Sequence, residues 1–397
     1  MSAETSTETS PAQVAFYNDP RMRGFAYQII LCVLVGLVVY GATVNAIDHL
    51  RRAHIASGFG FWDTTAGFDI SQTLISYSAQ ASTYGRAFWV GLLNTLLVAG
   101  IGLVFASIIG FIIGIARLSG NWLVAKAAGG YVEILRNIPL LLQLLFWYNA
   151  VLKALPIVRE SYTAPGGIYL NNRGLILPQP VPQPGFGWVM IAFALGIAGA
   201  VAFHYWAGHR QMRTGKRAPV LWVSLALVIG LPLAVAAVLG FPLAFDYAKA
   251  GRFNILGGVN VQPEFLALLF GLSTYTAAFV AEVVRAGILA VARGQTEAAY
   301  SLGLRSGPTL RLIVVPQAMR VIVPPLTNQY LNLIKNSSLA VAIGYPDLVQ
   351  VFTGTVLNQT GQAVEVVAIT MLVYLTISLV TSLVMNLYNR HMALVER

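Results

Sequence analysis

Four charged side chains sit in stretches otherwise suited to hydrocarbon: Arg136, Glu282, Arg285 and Glu365. A charge inside a bilayer costs about 2.5–3.5 kcal/mol on insertion scales, so such residues face a cavity or a partner. Glu282 and Arg285 are three residues apart, share a helix face and could neutralise each other. Arg136 belongs to a different stretch and precedes Asn137, Ile138 and Pro139. A proline there breaks or kinks a helix and frees backbone groups that could face a ligand. An arginine can form a planar fork with a carboxylate, and a glutamate can accept from an ammonium. Two readings stay open: ion pairs that hold helices together, or a site with one fixed cation and one fixed anion. Other chemistry has less support. The sequence contains no Gly-x-x-x-x-Gly-Lys-Ser/Thr phosphate loop, no nucleophile constellation and no zinc motif. The single cysteine, Cys32, excludes an intrachain disulfide framework. The five histidines, His49, His54, His204, His209 and His391, lack metal-ligand spacing.

The elements that must position these residues are membrane helices. Of 397 residues, 57% are hydrophobic and 10% charged, with mean hydropathy +0.69. That is too apolar for a soluble domain of this length. The net charge of +10 is explained by basic cytoplasmic loops rather than nucleic-acid binding, because no basic patch carries interleaved aromatics. Residues 1–24 are rich in Ser, Thr, Glu and Pro and are expected to be a disordered tail. The first apolar run, 26–46, is long enough to span and too long for a typical signal peptide, so a retained helix is expected. Further spans are expected at 89–116, 131–153, 187–206, 219–240, 264–289, 317–335 and 363–388, giving about eight helices in an all-α membrane protein. The short apolar stretch 338–352, ending near Tyr345, Pro346 and Asp347, is expected to be a re-entrant extension shielded by protein.

With the N-terminus inside, the inner loops hold about 13 Lys and Arg and the outer loops about nine, which favours two cytoplasmic termini. Loops 48–86 and 154–186 would then lie outside. The second is Pro-rich between Pro178 and Pro184, a composition that favours extended or polyproline backbone. Residues 297–316 form a polar, basic loop on the inner side. There Glu297, Ala298 and Ala299 could start a short helix with a carboxylate near its positive end. Gly303 permits a tight turn, Ser306, Gly307 and Pro308 break the chain, and Thr309 can cap the next turn.

This loop resembles the EAA loop of bacterial ABC importer permeases. Glu297, Ala298, Ala299, Gly303, Ile313 and Pro316 fall in register with that pattern, and Val315 replaces its leucine. Four more segments resemble the branch that imports polar amino acids, the histidine, glutamate, glutamine, arginine and opine family. They are Gly91–Leu96 with Arg117–Ser119, Tyr131–Leu144, Ala281–Gly287 and Pro324–Leu339. The length between the two core blocks resembles the large general L-amino acid permeases of alpha-proteobacteria. The resemblance implies a type I (MetI-like) core in two parts, 86–155 and 263–390. A first helix and outer loop would occupy 25–85, an insertion with two extra spans 156–262, and a short inner tail 391–397.

What the resemblance implies about function is a permease subunit in the bacterial inner membrane, not an enzyme by itself. It would move polar L-amino acids inward by alternating access. It would bind no cofactor, with ATP and Mg held by two partner ATPase subunits. A related second permease chain, a periplasmic amino-acid-binding protein and the bilayer would be its other partners. The EAA-like helix, flanked by Arg293, Arg305 and Arg311, would dock into an ATPase groove through Glu297, Ala298, Ala299, Gly303, Arg305 and Pro316. An amino acid's two poles would match Arg136 and Glu282, with Asn137, Tyr275, Asn328 and Gln329 as further lining. Tyr275, with Thr274 and Thr276, could equally be packing, and Asn328, Gln329 and Asn332 could equally be interhelical hydrogen bonders. Pro139, Lys335, Asn336 and Ser337 are expected at a gate or hinge, or merely at helix ends. The alternative from another class is an ion- or proton-coupled secondary transporter with Glu282 and Glu365 as coupling sites.

Overall fold

The computed structural model describes residues 20–52, 58–216, 218–251 and 254–392. The expected tail therefore lies largely outside the described residues. Its last part does not, because helix α1 (Pro20–Arg52) already begins at Pro20. Helix α2 (Tyr84–Ala116) starts where the Thr83 side chain accepts from the Arg86 amide, an ordinary N-cap. Helix α3 (Trp122–Asn137) is capped the same way by Asn121. It stops before Pro139, whose ring forces Ile138 into an extended conformation (φ −93°, ψ 127°). Helix α4 (Leu140–Leu145) and a π-helical segment, Phe146–Leu152, follow after a bend of 104°. The span expected at 131–153 is thus a broken pair that begins earlier.

The segment expected to be an insertion contains α5 (Phe186–Thr214), α6 (Val220–Leu225) and α7 (Leu231–Val238), the last two joined by a π-helical turn. Next come α8 (Pro263–Leu289), α9 (Arg293–Ser301), α10 (Ser306–Thr309) and α11 (Val315–Asn336). A 3-10 segment, Ser337–Ile343, a turn at Gly344 and a π-helical segment, Val349–Val356, then lead into α12 (Leu357–Thr360) and α13 (Ala363–Met392).

The loops are not all irregular. Strands β1 (Tyr162–Ala164), β2 (Ile168–Asn171) and β3 (Gly174–Leu177) form an antiparallel sheet completed by β8 (Val259–Val261). The proline segment becomes β4 (Gln179–Pro182), paired with β5 (Leu243–Asp246), and β6 (Lys249–Ala250) pairs with β7 (Ile255–Leu256). Pro180 and Pro182 are tolerated because β4 has one partner only and keeps a free edge. Alternation cues were too short to flag these strands in sequence.

The sheets fix which loops share a side. Ser71 and Gln262 exchange hydrogen bonds, Gln72 donates to the Tyr345 hydroxyl, and the Gly58 amide donates to Glu365. Tyr148 donates to Glu264 at the sheet-side start of α8 (2.7 Å). The chain leaves the sheet side along α2 and is back there by Tyr148. The bent pair therefore makes one traverse, and with the seven long apolar helices there are eight among the described residues.

Candidate functional site

The centre of the fold is the crossing of α2 and α8. Gly110 and Gly114 of α2 lie against the Val280 and Val284 side chains and the Ala281 carbonyl, so α2 puts no side chain of its own at these contacts. Small residues at such crossings let membrane helices approach closely. Around this axis the structure places three polar constellations.

The first is an ion-pair triad. Glu282 accepts from Arg117, the residue that caps the end of α2, and from Arg285 at 2.5 Å. All three side chains are roughly a fifth to a third exposed. Arg136 is not part of it. Its guanidinium lies 5.1 Å from the Phe279 ring centre, one turn along α8, in cation–π geometry. The structure thus joins Glu282 to Arg117 and Arg285, and does not bring Arg136 and Glu282 together. Arg117 was not among the residues expected from sequence, because it stands at a helix end and not inside an apolar run. Glu365 accepts from the Gly58 amide in the first turn of α13, at the sheet-side end.

The second constellation is the helix break. Gln143, 5% exposed, donates its amide to the Leu135 and Ile138 carbonyls, both at 2.9 Å, which the broken helix leaves unpaired. A cavity of about 540 Å³ lies beside it, walled by α3, α4 and Thr274. Asn137 and Pro139 are exposed at the break, and Tyr275 packs on Phe279 with ring centres 5.0 Å apart.

The third constellation locks the re-entrant stretch. Tyr345, Asp347, Leu348 and Phe352 are fully buried, as shielding by protein requires. Asp347 accepts from the Gln350 amide and from Tyr374 of α13, the Leu348 amide donates to Thr95, and Asn94 donates to the Gln72 and Pro346 carbonyls. Sequence reading missed Asp347 and Tyr374 as a pair because 27 residues separate them. Of the expected gate residues, Ser337 is buried, Asn336 half-buried and Lys335 exposed at the end of α11. Asn328 is exposed and Gln329 half-buried on the same helix.

On the side opposite the sheets, α9 and α10 form a short helical hairpin. Glu297 falls in the second turn of α9, since the helix starts at Arg293, four residues earlier than expected. The helix dipole acts on the first turn only, so it does not stabilise this carboxylate. Ser306, Gly307 and Pro308 start α10 instead of breaking the chain, which suits proline in a first turn. Arg305 is the N-cap residue, and Thr309 donates back to its carbonyl rather than capping. Gly303 adopts φ +75°, the left-handed turn that glycine permits. Ala299 is buried, whereas Glu297, Ala298 and Arg305 are exposed and Pro316 is half-buried. Tyr300, Leu302, Leu310 and Leu312 stand 51–81% exposed around the hairpin.

Residues 102–394 match the family described as the binding-protein-dependent transport system inner membrane component. The chain belongs to this family. It is a multi-pass inner membrane permease subunit. The general L-amino acid transport system permease protein AapQ of Rhizobium johnstonii is 54% identical over 380 residues, covering 96% of this chain and 94% of that one. The putative amino-acid ABC transporter permease protein YhdX of Escherichia coli K12 is 50% identical over 381 residues, covering 96% and 97%. The glutamate/glutamine/aspartate/asparagine transport system permease protein BztB of Rhodobacter capsulatus is 42% identical over 410 residues, covering 96% of each. These alignments run nearly end to end. The family assignment favours ATP-driven import over ion-coupled transport.

Proposed function

We infer that the permease moves L-amino acids, polar ones among a broad set, from periplasm to cytoplasm by alternating access. The observation that carries this reading is the end-to-end identity with three amino-acid permeases. ATP and Mg act on two partner ATPase subunits, a related second permease completes the pathway, and a periplasmic amino-acid-binding protein delivers substrate. The sheet side faces the periplasm, and both termini face the cytoplasm.

The α9–α10 hairpin is the coupling element. Its exposed Tyr300, Leu302, Leu310 and Leu312 form an apolar face beside Glu297 and Arg305, suited to a groove on a soluble subunit. When the ATPase subunits close, the hairpin moves with them and carries α8 and α11. The Glu282 triad ties α8 to the end of α2, so that motion is passed to the helix against which α8 packs. Pro139 provides the hinge, and Ser337 with Asn336 and Lys335 the junction where α11 gives way to the re-entrant stretch.

For the substrate, Arg136 remains the cation offered to a carboxylate, since among the described residues it meets the Phe279 ring and the ion pairs involve other arginines. Asn137 and Tyr275 flank it, and Asn328 and Gln329 line the pathway from α11. Glu282, held by two arginines, acts through helix coupling more than through an ammonium. The complete transporter in vesicles is expected to accumulate amino acids only with ATP inside the compartment bearing the ATPase. Accumulation driven by an imposed proton gradient without ATP would refute the assignment.

A further inference from the structure

The α5–α7 hairpin takes no part in the coupling of α8, α9 and α11, yet its end opposite the sheets gathers charge of one sign. Arg210 and Arg213 stand in the last turns of α5 and Lys216 just beyond it. Arg217 follows in the sequence, outside the described residues. Residues 186–245 contain no Asp or Glu. Among the described residues no carboxylate pairs with Arg210, Arg213 or Lys216. Every residue from Gly208 to Lys216 is exposed, so no other element of the chain covers these cations. Other basic residues on this side are balanced: Arg117 is paired with Glu282, and Arg293 shares α9 with Glu297.

Depth in the bilayer says what meets them. Trp188 and Trp206 of α5 are 64% and 51% exposed. Along the helix they are ~27 Å apart at 1.5 Å per residue, close to ~30 Å of hydrocarbon. Exposed tryptophans at that separation mark the two headgroup boundaries. Arg210 and Arg213 lie ~6 Å and ~10 Å beyond Trp206, in the layer of lipid phosphates. Trp222, also exposed, brings the chain back to the same boundary in α6. The Arg210 guanidinium stacks over the Trp206 ring, 5.2 Å from its centre, which leaves its N–H edge for an oxyanion. Thr214 donates to the Arg210 carbonyl and Gly215 turns the chain at φ +69°, so the end of α5 is locally held. Orientation by basic loops accounts for the sign of the charges. The helix dipole accounts for Arg213 in the last turn. Neither accounts for an exposed, acid-free cluster at phosphate depth with one guanidinium already seated on an interfacial indole.

We propose that this end of the α5–α7 hairpin is a selective site for anionic phospholipid, its phosphodiester bonded by Arg210, Arg213 and Lys216. A zwitterionic lipid carries the same phosphate but brings its own cation into the cluster, and is disfavoured. The hairpin is thereby an anchor that reads the charge of the surrounding lipid. The proposal uses only the chain's place in a bilayer and does not depend on what the permease carries.

The test uses the assembled permease–ATPase complex in nanodiscs. Cys32 is replaced by Ser, and a bimane fluorophore is attached to Gly208→Cys, where a Cβ meets no atom within 4 Å. Phosphatidylglycerol or phosphatidylcholine, each carrying a doxyl quencher near its headgroup, is titrated into a phosphatidylcholine bilayer. Half-maximal quenching is expected at about fivefold lower mole fraction of phosphatidylglycerol. With Arg210→Gln, Arg213→Gln and Lys216→Gln combined, the two lipids should come within about twofold of each other. All three side chains are exposed, so this variant is expected to assemble normally. A second bimane position, Met190→Cys, is exposed near the other end of α5 and should show a preference below about twofold in both chains. Equal quenching by the two lipids at position 208, or a preference that survives the triple variant, overturns the proposal. So does a preference at position 190 as large as at 208, which would reflect the net charge of the whole chain. Inorganic phosphate, against chloride at equal ionic strength, should leave the preference unchanged. Its loss with phosphate alone would assign the cations to a soluble anion and overturn the lipid site.

Discussion

The α2–α8 crossing and the α5–α7 hairpin are both built of apolar helices, yet they are packed by different rules. In α8, 61% of the most apolar stretch is buried; in α5 the share is 11%, and across 220–238 it is 6%. The crossing brings glycines of α2 against backbone and β-branched side chains of α8 and ties the helices with a charged triad. The hairpin has one such glycine, Gly196 against the Leu227 carbonyl, and presents Trp188, Leu195 and Trp222 outward, 62–73% exposed. The hairpin is joined to the core by the sheets at its end, through β4–β5 and β3–β8. Small residues and buried polar bonds thus mark the part that must hold and switch conformations. Bulky outward side chains mark the part that lipid covers.

The comparison breaks most readily at the glycines. A Cβ on Gly114 would lie 2.8 Å from the Ala281 carbonyl and 2.9 Å from Val284. Gly114→Leu is therefore expected to separate α2 from α8. Overpacking costs about 1–3 kcal/mol even where side chains can yield, so assembled complex measured by size exclusion should fall roughly tenfold or more. Gly196→Leu is as crowded locally, with a Cβ 2.2 Å from a carbonyl, but strains the hairpin alone. Core assembly should survive it. Equal losses in the two variants would remove the distinction between core and accessory helices.

Next in size is an effect on coupling without one on assembly. Gly303 has φ +75° and no atom near where a Cβ would stand. Its role is conformational, and a β-branched residue there is strained by about 1–2 kcal/mol. Gly303→Val is expected to lower ATP-driven uptake about tenfold while the amount of membrane complex stays normal. Normal uptake would separate the α9–α10 hairpin from energy transfer.

The contrast also explains what the sequence made legible. Spans were readable because burial in lipid demands long apolar runs, and the loop at 297–316 because its residue types recur at fixed spacing. Helix starts were not: α9 begins at Arg293 and α3 at Trp122, ahead of the expected positions, because amphipathic ends at an interface lack a continuous apolar signal. The partner of Glu282 was half legible. Arg285 is three residues away and followed from helical spacing, whereas Arg117 comes from another helix 165 residues distant. Gln143 was within a recognised segment, but its value depends on which way its amide is turned, which only tertiary structure fixes.

The triad offers a smaller effect. Glu282→Gln would leave Arg117 and Arg285 side by side without their shared counter-charge. The site is partly open to solvent, so screening limits the loss, and assembled complex should fall about threefold. Arg117→Met in the same chain should then cost little more, because the pair it belonged to is already broken; additive losses in the double variant would show that the arginines act independently. The hairpin has no such coupling to test, since residues 186–245 contain no Asp or Glu.

The smallest perturbation addresses which side is which. Cys32, exposed on α1, is first replaced by Ser, and single cysteines are placed at Gln211 near the end of α5 and at Val181 in β4. Both positions are exposed, and surface substitutions of this kind change stability by no more than about 0.5 kcal/mol. Uptake should therefore be near normal, and labelling reports topology alone. The Lys and Arg around Gln211, including Arg210, Arg213 and Lys216, are expected to hold that end inside. A membrane-impermeant maleimide added to intact cells should label position 181 and not 211, and the pattern should extend to 211 once the membrane is opened. Labelling of 211 from outside would put the α9–α10 hairpin on the periplasmic face, beyond reach of an ATPase. The core would then have to be driven from the sheet side, and the division between a coupled core and a lipid-covered hairpin would lose its functional meaning.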